Sequence, residues 1–81
     1  MKKMKRQLKI VPQQTGGVVK ISEDTQINKI QAEKVIVYEN VTARLFGVVN
    51  DIIIEKGARL FLHGAICGVI DNRGGEIHIY R

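Results

Sequence analysis

The chain repeats itself every seventeen residues, and that constrains its fold more than any other property. Residues 35–51, VIVYENVTARLFGVVND, align without gaps on residues 52–68, IIIEKGARLFLHGAICG, and these on residues 69–81, VIDNRGGEIHIYR. The columns keep their chemistry: Ile36, Ile53 and Ile70 coincide, as do Ala43, Leu60 and Ile77, and then Leu45, Leu62 and Ile79. Gly47 falls on Gly64, Val49 on Ile66, and a turn column runs Asn40, Gly57, Gly74. A fainter unit at 18–34 matches Glu23-Asp24 to Glu39-Asn40 only after a one-residue shift, as terminal repeats often do.

Each unit carries β-branched clusters, alternates apolar with polar residues, and breaks at Gly or Asn, which is the pattern of strands. Helices are disfavoured, because glycines recur after position 47 and the apolar spacing is two rather than 3.6. Such a unit holds about three short strands with tight corners, one coil of a parallel β-solenoid in which like residues stack at a rise of about 4.8 Å. The expected fold is therefore all-β: a short parallel solenoid of about three 17-residue coils, preceded by an N-terminal strand or tail. A meander of hairpins offers no reason for the register, and six-residue units of a hexapeptide solenoid do not fit it. The expected organisation is a basic segment at 1–10 and a single solenoid domain at 11–81.

If Leu45, Leu62 and Ile79 point inward, their neighbours form two outward columns, Arg44, Phe61, His78 and Phe46, His63, Tyr80. Flat side chains stack along a solenoid face because equivalent positions lie about 5 Å apart, so the columns read as simple stacking; read as a patch, they are a candidate interaction face. Val35, Ile52 and Val69 are expected to form another apolar column, with Val37 and Ile54 leading to Asp71. The second apolar sheet surface that results is expected to be covered by residues 7–21 folded back over it, with Gln7 to Val11 a short strand stopped by Pro12; otherwise it is an interface. Glu39 with Lys56, and Arg59 with Glu76, are expected to pair across coils. EIHIYR reads as a strand in mid-coil without a polar cap, which makes Ile77, Ile79 and Tyr80 a candidate self-association edge.

Charge is concentrated at one end. The net charge of +5 comes from Lys2, Lys3, Lys5, Arg6 and Lys9, while the rest of the chain carries equal numbers of basic and acidic residues. That cluster is a solubilising tail or a candidate contact for an anionic membrane or polyanion; nucleic acid is disfavoured because the neutral body offers no basic groove. No apolar run suits a signal peptide or membrane helix, and a lone Cys67 makes no internal disulfide, so a cytoplasmic location, with membrane association through the tail as an option, is expected. His63, His78 and Cys67 are too few and too scattered for zinc, and no triad, carboxylate pair or phosphate loop is present. The expectation is a non-enzyme with no cofactor, no metal and no small-molecule substrate, whose partner is another protein.

ARLFGVVNDIIIEKGARLFLHGAICGVIDNRGGEIHIY resembles the bactofilin type of bacterial repeat over residues 35–81, in its periodicity and glycine placement. The resemblance implies a right-handed coil, end-to-end self-association into a scaffold without nucleotide, and membrane contact through a short N-terminal tail. The phrase LHGAICGVIDNRGG also resembles small bacterial solenoids that act as immunity proteins. That likeness implies neutralisation of a toxin through the face bearing Arg44, Phe46, Phe61, His63, His78 and Tyr80.

Overall fold

Inward-facing residues in the middle of the chain run 43, 45, 49, 52, 54 and then 58, 60, 62, so the run of alternate buried residues is interrupted twice within a strand, at Gly47 and at Asn50-Asp51, and once at a turn. Each interruption is a place where the chain bends, and the bends wrap it into coils. The structure is a computed structural model that describes residues 8–80. Its strands are β1 (Lys9–Val11), β2 (Gln14–Ile21), β3 (Thr25–Val37), β4 (Thr42–Ile54), β5 (Arg59–Ile66), β6 (Ile70–Asn72) and β7 (Glu76–Tyr80). Every pairing is parallel, and the strands form a β-solenoid of about four turns, one more than expected. The extra turn comes from the N-terminal segment and the faint 18–34 unit. β1 and β2 both stack on β3, placing Lys9 on Thr25 and Val19 on Val35, so residues 9–21 are the first rung and are not folded back over an outer face. β1 does end immediately before Pro12, which has no N–H for a further ladder bond.

Two of the three corners per coil lie inside continuous ladders, so β3 and β4 each run for 13 residues. The third is a tight turn, and the turn column matches the sequence: Asn40, Gly57 and Gly74 all have positive φ. There the Gly57 N–H donates to the Gly74 carbonyl at 3.0 Å and the Asn40 N–H to Lys56 at 3.2 Å. At another corner Gly64 sits under Gly47, with φ of +151° and +147°, and a Cβ on Gly64 would meet the Gly47 carbonyl oxygen. Only glycine lets the rungs close there.

The register holds at seventeen from β4 to β5 and from β5 to β7, so Leu60 and Ile77, and Leu62 and Ile79, are neighbours as expected. From β4 to β6 it lengthens to eighteen. Ile70 falls on Ile52 rather than Ile53, Asp71 on Ile53, and Asn72 rather than Asp71 follows Val37 and Ile54. The shift arises at the Cys67–Gly68 corner, where Gly68 N–H donates to Asn50 at 2.8 Å and Asp51 Oδ1 accepts the Val69 N–H at 2.9 Å. Val69 is consequently outside the core. Asp24 Oδ1 likewise accepts the Thr42 N–H at 2.9 Å, and β3 to β4 also opens at eighteen before a bulge between Ile27 and Ile30 restores seventeen. These acids anchor the longer coils.

The core is an aliphatic column, with Val35, Val37, Leu45, Val49, Ile52, Ile54, Leu60 and Leu62 fully buried. Thr25 is the one buried polar residue among those described, and its hydroxyl donates to the Glu23 carbonyl at 2.6 Å. Among the described residues no buried side-chain polar atom lacks a partner.

Candidate functional site: an aromatic ladder and a terminal edge

A parallel ladder holds equivalent residues about 4.8 Å apart, close to the spacing at which flat rings attract one another. Phe46, His63 and Tyr80 are register partners on β4, β5 and β7, and their rings form a three-member stack with centroids 4.6 Å and 4.7 Å apart and planes inclined by 11° and 19°. Phe61 and His78 make a second stack at 5.1 Å and 9°, with Arg44 next in that column. All six expected residues therefore share one outer face. Phe46 and Phe61, expected to lie exposed, are half-buried because the next rung's ring covers one face of each.

The face has little acid–base equipment. His78 Nε2 lies 3.4 Å from Glu76 Oε1, an exposed contact that is ionic only when the imidazole is protonated. Glu76 turns to this partner rather than to Arg59, and Glu39 and Lys56 make no ion pair among the described residues, so neither expected cross-coil pair forms. His63 is flanked by rings, and Cys67 lies exposed in the loop after β5. Among the described residues no three His, Cys, Asp or Glu side chains converge as metal ligands, and no helix is long and apolar enough to cross a membrane. A shallow groove of about 350 Å³ beside Gln14, Gln31 and Val48 has Lys29 as its only ionisable lining residue.

The expected self-association edge is where the ladder order β1-β3-β4-β5-β7 terminates. Ile77 is half-buried, while Ile79 and Tyr80 are 40% and 45% exposed; no strand lies beyond β7 among the described residues. Of the basic cluster, Lys2, Lys3, Lys5 and Arg6 lie outside the described residues. Lys9 belongs to β1, with Nζ 3.3 Å from Glu23 Oε2 on the surface.

One surface escaped the sequence reading. The eighteen-residue step from β4 to β6 sets Asp71 beside Ile53 and turns Val69 outward, so a face with Lys20, Ile36, Ile53 and Asp71 in one column is built. The strict seventeen-residue alignment placed Ile70 there instead; the Cys67-Gly68 pair was the available signal for the extra residue. On this face Arg73 reaches Asp71 Oδ2 at 3.0 Å and Glu55 at 3.6 Å, and the hydrogen bond to Asp71, followed by the charges of Asp71 and Glu55, raises its pKa further above the ordinary guanidinium value. No family model, no curated protein and no solved structure matches the chain.

Proposed function

We propose that the protein is a non-enzymatic interaction module that associates with copies of itself through its rung edges, as a scaffold of the kind the bactofilin-like repeat implies. The observation that carries this reading is the outer edge of β7. Its backbone groups have no ladder partner among the described residues, and Ile79 is 40% exposed although its column mates Leu45 and Leu62 are sealed. At the opposite end of the same ladder, β1 leaves Ile10 55% exposed. Column order sets Ile79 over Val11 and His78 over Ile10 of a following copy, apolar or flat groups in both places. A contact joining two different edges does not close on itself, so it extends into assemblies larger than a dimer.

Light scattering over a concentration series tests the reading. The parent is expected to grow beyond two copies, and Tyr80→Lys, which places a charge beside the edge, is expected to stop that growth while the circular-dichroism signal stays unchanged. A parent that never exceeds two copies overturns it.

A second reading rests on the ring ladder. Phe46, Phe61, His63, His78, Tyr80 and Arg44 offer flat edges and a cation on one rigid face, the composition that anchors protein interfaces. That suits an immunity protein gripping a toxin in a 1:1 complex. Its signature is a monomer whose binding to the partner is lost in Phe46→Ala while self-association is unaltered.

A further inference from the structure

The face opposite in character to the ring ladder is built on β2, the second halves of β3 and β4, and the segment after Gly68. Its outward columns are Val18, Lys34, Asp51, Val69 and Lys20, Ile36, Ile53, Asp71, with Tyr38 and Glu55 at the side. Both cations of these columns lie on the first two rungs and both acids on the last two. Val18 and Val69, at the two extremes, are 57% and 71% exposed, among the most exposed large apolar side chains described.

The pattern is its own complement. A two-fold axis lying in the face, along the strands and midway between β3 and β4, keeps each column and reverses the order of the rungs. It sets Lys20 against Asp71 of a second copy, Lys34 against Asp51, Ile36 against Ile53 and Val18 against Val69, each contact made twice. Tyr38 then meets Glu55. The alternative axis, along the solenoid, sets Lys20 on Lys20 and Asp51 on Glu55, which like-charge repulsion disfavours. Within the chain, Lys20, Lys34 and Asp51 form no ion pair among the described residues, whereas Asp71 is held by Arg73 through Oδ2 in both contacts, so Lys20 of a second copy shares that carboxylate with Arg73 and Lys34 with Asp51 is the unshared ionic pair.

From this complementarity we infer that the Lys20–Ile36–Ile53–Asp71 face is the interface of an isologous dimer in which two copies lie face to face with their solenoid axes antiparallel. This contact is separate from the rung edge and closes at two copies. Four rungs at about 4.8 Å and a width of about 14 Å make it small beside the usual 800 Å² per partner, so the dimer is weak, concentration-dependent and loosened by salt.

The experiment is sedimentation equilibrium at low and high salt on the full chain carrying Tyr80→Lys, which removes the edge contact and so separates this inference from the proposed function. A dimer that salt weakens is expected. Lys20→Asp alone and Asp71→Lys alone each oppose like charges twice and are expected to weaken it by about tenfold or more. An equimolar mixture of those two variants restores the dimer, because every crossed contact then joins opposite charges; the rescue also shows that both variants are folded. A monomer at every concentration in low salt, a dimer indifferent to either reversal, or a mixture that stays monomeric overturns the inference.

Discussion

Leu62 and Ile79 occupy the same column on successive rungs, on the same inward side, yet one is sealed and the other is 40% exposed. Ile52 and Ile70 make the same contrast between β4 and β6, at 0% and 39%. Residue type and strand phase are alike in both pairs; what differs is a rung on both sides as against one. In a solenoid, burial is conferred by the neighbouring rungs, so cohesion is greatest in the middle coils and falls toward the ends. The middle is thereby the structural part of the molecule and the terminal rung the part with surface to offer.

That contrast is tested most severely at the glycines. Gly64→Val drives a Cβ into the Gly47 carbonyl at a φ of +151°, and is expected to cost about 4 kcal/mol or to prevent folding, by the usual scale of overpacking plus backbone strain. Gly16, on the first rung, has nothing within 4 Å of a would-be Cβ, and Gly16→Val is expected to change urea-unfolding stability by no more than about 0.5 kcal/mol. Equal costs at both positions would show that the ends are as tightly built as the middle.

Aliphatic truncation gives the next largest effect. Leu62→Ala opens a cavity between rungs and is expected to cost about 3 kcal/mol, whereas Ile79→Ala removes a side chain already part-way into solvent and is expected to cost about 1 kcal/mol. Chemical denaturation of both variants under conditions where the protein is monomeric checks the ratio. If Ile79→Ala costs as much as Leu62→Ala, another surface covers the last rung in solution.

How much of this was legible follows the same line. Wherever the seventeen-residue register is kept, between β4, β5 and β7, sequence arithmetic finds the neighbours: the two ring stacks, the inward leucines and the Asn40–Gly57–Gly74 turn column all stand where the repeat places them. It fails where a coil gains or loses a residue, because a one-residue slip moves every following side chain to the other face. The extra residue near Gly68 exposes Val69 and exchanges Asp71 with Asn72, and the first coil was hidden by the opposite change, β1 and β2 lying sixteen rather than seventeen residues from their partners on β3. Carboxylates bridge the longer coils to the next rung, a backbone–side-chain contact that no periodicity test sees. The Lys20–Asp71 face was lost for this reason alone.

The smallest effects distinguish two adjacent residues, Asn72 at the end of β6 and Arg73 in the turn that follows. Asn72 Oδ1 accepts the N–H groups of Gly74 at 3.0 Å and Gly75 at 2.7 Å, and these two donors lie in the tight turn that brings β7 onto β5. Asn72→Ala removes both bonds and is expected to cost about 1 kcal/mol, read as a shift in the denaturation midpoint without a change in slope. Arg73 holds Asp71 and Glu55 only in open solvent, where the attraction is offset by the ordering of a long side chain and screened by salt. Arg73→Gln is accordingly expected to leave the midpoint unchanged at any ionic strength. A salt-dependent loss of stability in Arg73→Gln would mean that the terminal rung is held by its surface charges, and that it is cohesive for a different reason from the aliphatic middle.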